Sequence, residues 1–379
     1  MRNRFYALDG MRGIAAIVVM IYHYDIGALL VSYAPTFSFY YSYVAVDLFF
    51  LLSGFVIAHS YGECLWRTLP LREYIARRVI RLYPMFLLGL FLGAPAFFWM
   101  ATLQAGMSHA EVVTSFLLNL FWIPYLHQAL PNPLAAANPF KNNVFPVNPP
   151  YWSLFFEMLC NGVFLLLVRL NRYGMILFMS ILLAIWWRAG MFGAPNVGWG
   201  EANFAQGIPR ALMGFSIGVA LYRIYRFQEA RTTKNVFSRS HASYVLYAVL
   251  FLLLATSSPW MLWFSHGRLL HFVLFQIFPV LLVYAGAHLG ELARGETKVA
   301  EILGWLSYPV YCLHNPVWRM IQLITPVLHL SEWSKIAMGV SVTLVLSCLL
   351  TRYIEEPVRK FLSGVWMNKK TAQKQTIAV

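Results

Sequence analysis

Apolar runs close to twenty residues long recur from Ile14 to Ile354, and no polar stretch between them is long enough to fold alone. A helix of about 20 residues crosses the hydrocarbon core of a bilayer, so this pattern predicts a polytopic membrane protein before any single residue is weighed. Ten windows meet that length: 14–32, 44–61, 79–103, 152–170, 175–192, 208–224, 242–264, 269–289, 302–324 and 336–354. Composition agrees, with 59% hydrophobic and only 12% charged residues, where a soluble domain averages about 25% charged. An eleventh run, 112–126, is shorter, follows Glu111, contains Asn119 and ends near Pro124.

Charge decides what that run does. If it does not cross, both termini lie on one side, and 23 of the 29 Lys and Arg residues fall on that side. The positive-inside rule makes it the cytoplasm. Letting 112–126 cross would invert everything after it and expose the basic cluster at 223–239 outside, so the run is read as re-entrant or packed against the bundle. The expected fold is an all-α polytopic bundle of about ten transmembrane helices plus that short segment. It forms one domain, 1–362, with a short disordered cytoplasmic tail, 363–379. The net charge of +14 is then a matter of loops and headgroups, and nucleic acid is not an expected partner. Cys64, Cys160, Cys312 and Cys348 lie in or beside apolar runs without metal-ligand spacing, so neither disulfides nor a metal is expected. The basic start resembles a secretory signal but lacks a small-x-small cleavage site, and is read as a retained first helix. Segment 128–150, with six prolines, cannot be helical. It is expected outside, as a functional loop or a connector.

Ionisable groups inside spans are costly and are functional candidates by default. Arg12 and His23 are eleven residues apart, which returns them to one helix face while separating them by about 16 Å. Asp25 lies half a turn beyond. Asp47 falls in the outer part of the second span, and mid-membrane Ser53-Gly54 lets a helix or ligand approach closely. Glu157 is about two turns into the span that opens with Tyr151-Trp152-Ser153, and His314-Asn315-Pro316 lies about 18 Å from the cytoplasmic start of its span. His23, Asp47, Glu157 and His314 therefore share one depth. Each also has a structural reading: His23 as a helix–helix hydrogen-bonding group, His314 satisfying backbone freed by Pro316, Glu157 pairing with Arg210, Asp25 capping its helix. On the cytoplasmic face, Arg77, Arg78 and Arg81 open the third span beside Arg12. Their guanidinium forks suit phosphate oxygens, although positive-inside topology and lipid headgroups demand the same cluster.

Several of these residues fall in a familiar order. Leu8-Asp9-Gly10-Met11-Arg12-Gly13 running to His23, the Asp47-to-Phe55 stretch around Ser53-Gly54, Arg78-Val79-Ile80-Arg81 before Leu82-Tyr83-Pro84, Tyr151-Trp152-Ser153 through Glu157, Ser307-Tyr308-Pro309 through His314 and Pro316, and Glu355-Glu356-Pro357 follow one another along the chain. Together they resemble the membrane-bound acyltransferase 3 family, bacterial enzymes that acylate carbohydrates and related acceptors. Many relatives carry an extracytoplasmic hydrolase-like domain after the core. This chain ends 22 residues after Pro357, so the expectation is transfer by the core alone or hand-over to a separate partner.

The resemblance implies an O-acyltransferase that takes an acyl group, expected to be acetyl, from cytoplasmic acyl-CoA. Arg12, Arg77, Arg78 and Arg81 would hold the donor phosphates, and the pantetheine arm would span the Arg12–His23 rise. His23 would act as general base or acyl carrier, with Asp47 or Glu157 fixing its tautomer. Ser153, His314 and Asn315 would bind the hydroxyl acceptor, a carbohydrate or glycoconjugate. The competing class is an exporter with a His and carboxylate proton relay. It is disfavoured by the lack of an inverted repeat, and a non-catalytic scaffold leaves the shared depth of four ionisable groups unexplained.

Overall fold

Every apolar window contributes a helix. The computed structural model describes residues 4–24, 39–65, 69–103, 106–126, 142–189, 196–230, 241–255, 277–289 and 292–377. In chain order the helices are α1 (Tyr6–His23), α2 (Val44–Tyr61), α3 (Leu71–Leu103), α4 (His109–Leu120), α5 (Tyr151–Leu167), α6 (Arg172–Arg188), α7 (Gly207–Glu229), α8 (Ala242–Ala255), α9 (Phe278–His288), α10 (Arg294–Leu328), α11 (Glu332–Leu350) and α12 (Glu356–Ile377). A π-helical turn, Thr351–Glu355, joins the last two. No named strand occurs among the described residues.

Among the described residues, three stretches are long and apolar enough to cross a membrane: Val44–Tyr61, Leu71–Leu103 and Glu332–Trp366. Tyr151–Leu167, Ala242–Ala255 and Phe278–His288 are shorter apolar helices. The outer faces are apolar as well. On α6, Ile176, Leu177, Ile181 and Trp187 are all exposed, as suits a surface solvated by lipid rather than water. The chain is a helical membrane protein, and the count of ten spans rests on hydropathy and charge.

The packing has two closely apposed pairs. α1 lies along α10, and Tyr24, just past α1, stacks on Trp318 with ring centroids 4.6 Å apart. The Tyr24 hydroxyl donates to the carbonyl of His314 at 3.0 Å and lies 2.5 Å from the Thr343 hydroxyl on α11. The second pair is α2 and α7. Gly54 faces the carbonyl of Phe215 and Gly218 faces that of Leu51, so a Cβ at either position would collide with backbone. The small-residue site at Ser53-Gly54 is thus filled by a helix on its glycine side.

One expectation holds, that the short run 112–126 packs against the bundle without crossing, and two change. The short run 112–126 is helical only over α4, whose 12 residues rise about 18 Å, too little to cross. Ser108 and Glu111 close a capping box at its start, and α4 packs on α3. The tail after Gly364, expected to be disordered, continues α12 to Ile377. Of the loop 128–150, residues 142–150 are described, and Val144, Phe145, Val147 and Asn148 are fully buried. Arg319 on α10 donates to the carbonyls of Pro146 at 2.7 Å and Val147 at 3.0 Å, drawing this segment into the bundle. Asp25 lies outside the described residues.

Candidate active site

A cavity of about 330 Å³ opens where α1, α2, α3, α5, α10 and α12 converge, within the size range of small-molecule sites. Arg4, Arg12, Arg78, Arg81 and Arg359 line it against two carboxylates, Glu157 and Glu355. That imbalance suits a polyanion.

The arginines are held differently. Arg12 donates to Asp9 at 2.8 Å and to the Ser307 hydroxyl at 3.2 Å, and Arg4 shares Asp9 from the other side at 2.8 Å. Arg78 is buried, 3.3 Å from Glu157, whose carboxylate also accepts from Ser53 at 3.2 Å. Arg81, one turn on and on the same face of α3, is exposed to the cavity and makes no hydrogen bond among the described residues. Arg77 does not line the cavity. It points 100° away around the helix and pairs with Glu73 at 2.6 Å, so its expected place in the phosphate site is withdrawn.

One cavity arginine lies outside the expected set. Arg359 sits on Glu355 at 3.1 Å, brought back to the cavity by α12 after the π-helical turn. Its only sequence signal is the i,i+4 spacing to Glu355.

The four groups expected at one depth separate into pairs. Asp47 belongs to Arg210: Nε donates to Oδ1 at 2.7 Å and Nη2 to Oδ2 at 2.9 Å, with Arg210 fully buried. Arg210 also donates to the carbonyls of Val197 and Tyr43. The close α2–α7 crossing enforces this pairing, so the Glu157–Arg210 alternative gives way to Glu157–Arg78 and Asp47–Arg210. Neither carboxylate fixes the His23 tautomer. His23 Nδ1 lies 2.8 Å from the carbonyl of Val19, and backbone does that work.

His23 and His314 do meet, with ring centroids 4.9 Å apart. Pro316 leaves the carbonyl of Cys312 without its helical donor. Asn148 Nδ2 fills that vacancy at 2.9 Å, so His314 is not needed there. Between this pair and the cavity stands Tyr311, edge-on to Phe49 at 5.4 Å and to His314 at 5.8 Å. Its hydroxyl lies 2.6 Å from Ser153 Oγ, and both oxygens are 3.0 Å from the carbonyl of Pro150. Asn315 is one helical turn beyond Tyr311 on α10, its Oδ1 buried without a partner. The chain therefore stacks a cationic cavity, an aromatic wall and a histidine pair. Because α1 is unbroken from Tyr6 to His23, the rise of about 16 Å between Arg12 and His23 holds.

Comparison with known proteins places this arrangement. A family model described as an acyltransferase domain matches residues 5–352. The chain is 32% identical to Protein 2 in picA locus of Rhizobium radiobacter over 172 residues, which cover 43% of this chain and 81% of that one. It is 22% identical to the peptidoglycan O-acetyltransferase OatA of Listeria monocytogenes, over 98% of this chain and 60% of the relative. It is 23% identical to the putative peptidoglycan O-acetyltransferase YrhL of Bacillus subtilis, over 93% of this chain and 54% of the relative. The chain thus spans a little over half the length of those two proteins. No solved structure matches it. With the match running through nearly all of its helices, the chain belongs to the acyltransferase 3 family of membrane acyltransferases.

Proposed function

We propose that this protein is an integral membrane O-acetyltransferase that takes its acyl group from acyl-CoA on the cytoplasmic side and passes it to a carbohydrate hydroxyl on the outer side. The observation that carries the reading is the alignment of the arginine-lined cavity with the histidine pair along α1 and α10. Arg12, Arg78, Arg81 and Arg359 bind the donor phosphates, and Glu157 holds Arg78 in position for that task. The pantetheine arm follows the cavity upward, and the Tyr311 ring turns aside to let the thioester reach His23. With Nδ1 committed to Val19, His23 offers Nε2 to the acceptor hydroxyl and takes its proton as the oxygen attacks the thioester carbonyl. Ser153 and the unpartnered Oδ1 of Asn315 orient the acceptor.

The peptidoglycan O-acetyltransferases among the relatives favour a glycan acceptor. The charge distribution favours ten spans in one domain over 1–362, with both termini and the tail 363–379 in the cytoplasm of a bacterial inner membrane. Acceptance of the acyl group by a separate extracytoplasmic partner fits the same topology.

The test uses the full chain in proteoliposomes, radiolabelled acetyl-CoA and glycan strands released from peptidoglycan. Label in the glycan, removed by mild alkali as an ester is, supports the assignment. Absence of transfer to that glycan and to a membrane carbohydrate extract refutes it.

A further inference from the structure

The histidine pair carries more information than the assignment of a base. Nδ1 of each ring lies against the carbonyl four residues earlier on its own helix, Val19 at 2.8 Å for His23 and Val310 at 3.0 Å for His314. A carbonyl only accepts, so in the neutral rings both Nδ1 atoms carry the proton and both Nε2 atoms are bare lone pairs. The two bare acceptors therefore belong to rings whose centroids are 4.9 Å apart. His314 Nε2 is buried without a hydrogen-bond partner, an arrangement that costs its full desolvation penalty. No structural duty accounts for it, because the carbonyl that Pro316 frees is served by Asn148. His23 is half-buried while His314 is fully buried, so only His23 is open to reactants and the neighbour of His314 is His23 itself.

We propose that His314 is a positioning residue that holds the transferred proton jointly with His23, an inference that rests on His23 being the base. The acceptor O–H bond breaks, its oxygen bonds to the thioester carbonyl carbon, and the proton moves to His23 Nε2. The new N–H stays aimed at the reacting oxygen, and His314 Nε2 accepts from it as the second arm of a three-centre bond, so the positive charge does not stand alone in a low-dielectric site. Collapse of the tetrahedral intermediate breaks the C–S bond. The departing thiolate then takes the proton back from His23 Nε2, so the hydroxyl proton ends on the coenzyme A thiol and both imidazoles return to neutral. The two backbone locks keep the rings from rotating their lone pairs out of register during this exchange.

The experiment measures coenzyme A release by the full chain in nanodiscs with acetyl-CoA, using peptidoglycan glycan strands as acceptor and acetyl-CoA hydrolysis as an acceptor-independent readout. His314→Gln and His314→Phe, the second keeping the aromatic packing without a lone pair, should each lower kcat by about 10²-fold, the low end for a positioned acid–base group. The KM for acetyl-CoA should not change. A kcat within about twofold of wild type in either folded variant, or a loss residing in KM, overturns the proposal. His23→Asn run alongside separates the two claims: turnover in that variant removes the base assignment itself, whereas its loss together with normal His314 variants removes only the partnership.

Discussion

The buried pair Asp47–Arg210 makes the sharpest division between a structural and a catalytic reading. Asp47→Asn keeps the side-chain shape but removes the charge and one acceptor oxygen. Of the Arg210 contacts, those at 2.7 and 2.9 Å go to Asp47, and the amide would set an N–H against one of the two donors. Arg210 has no exposed side-chain surface through which water can compensate. Breaking a buried pair by removing one partner costs about 3–5 kcal/mol, and that is the expected loss of stability. The double change Asp47→Leu with Arg210→Met leaves neither ion alone and should recover most of it. The assay is unfolding by SDS titration in mixed micelles, followed by acyl transfer per folded molecule. Folded Asp47→Asn protein should turn over at near the wild-type rate. Wild-type stability combined with lost turnover would refute the structural reading and return Asp47 to the chemistry.

Other perturbations separate groups that the sequence alone treats alike. Arg81→Ala should weaken coenzyme A binding by roughly 10- to 150-fold, the equivalent of about 1.5–3 kcal/mol for a charge-assisted bond, while Arg77→Ala, already committed to Glu73 on the surface, should change it by no more than about twofold. Calorimetric titration compares them, and equal losses would mean that the cluster acts through bulk charge. Gly218→Leu should break the α2–α7 crossing and with it the Asp47–Arg210 pair, lowering the folded yield as strongly as Asp47→Asn. Normal yield and stability would contradict that packing. In a background freed of the native cysteines, an impermeant maleimide applied to intact cells should label Glu332→Cys and not Tyr173→Cys. The reverse pattern would invert the topology.

How much of this was legible in the sequence depends on range. The common face of Arg12 and His23 follows from helix periodicity alone, and α1 bears it out as a continuous helix. So does the separation of Arg78 and Arg81 from Arg77, although a motif read as a charge cluster hides it. Which carboxylate meets which arginine was not legible, because depth in the membrane does not say which helices touch. Asp47 and Glu157 were expected at one depth, but Glu157 meets Ser53, six residues or about 9 Å along α2 from Asp47, and the α2–α7 glycine contact delivers Arg210 to one while the turn of α3 delivers Arg78 to the other. Arg359 was hidden for the same reason, since only the path of α12 returns it to the cavity. Tyr311 stood in a recognised motif, but its part as the wall between cavity and histidines depends on Phe49 from a different helix. The tautomer of His23 was legible in principle. A histidine in a helix has the carbonyl four residues earlier as a local acceptor, and no distant carboxylate is required.

The central claim is that donor binding and chemistry occupy separate places along α1. The most direct measurement takes His23→Asn protein in nanodiscs, titrates it calorimetrically with coenzyme A, and assays the same preparation for acetyl transfer. The account predicts wild-type affinity for coenzyme A, because the phosphate-binding arginines lie about 16 Å away, together with a fall in transfer of at least about 10²-fold. Transfer at near the wild-type rate, or coenzyme A affinity lost in parallel with turnover, would contradict it.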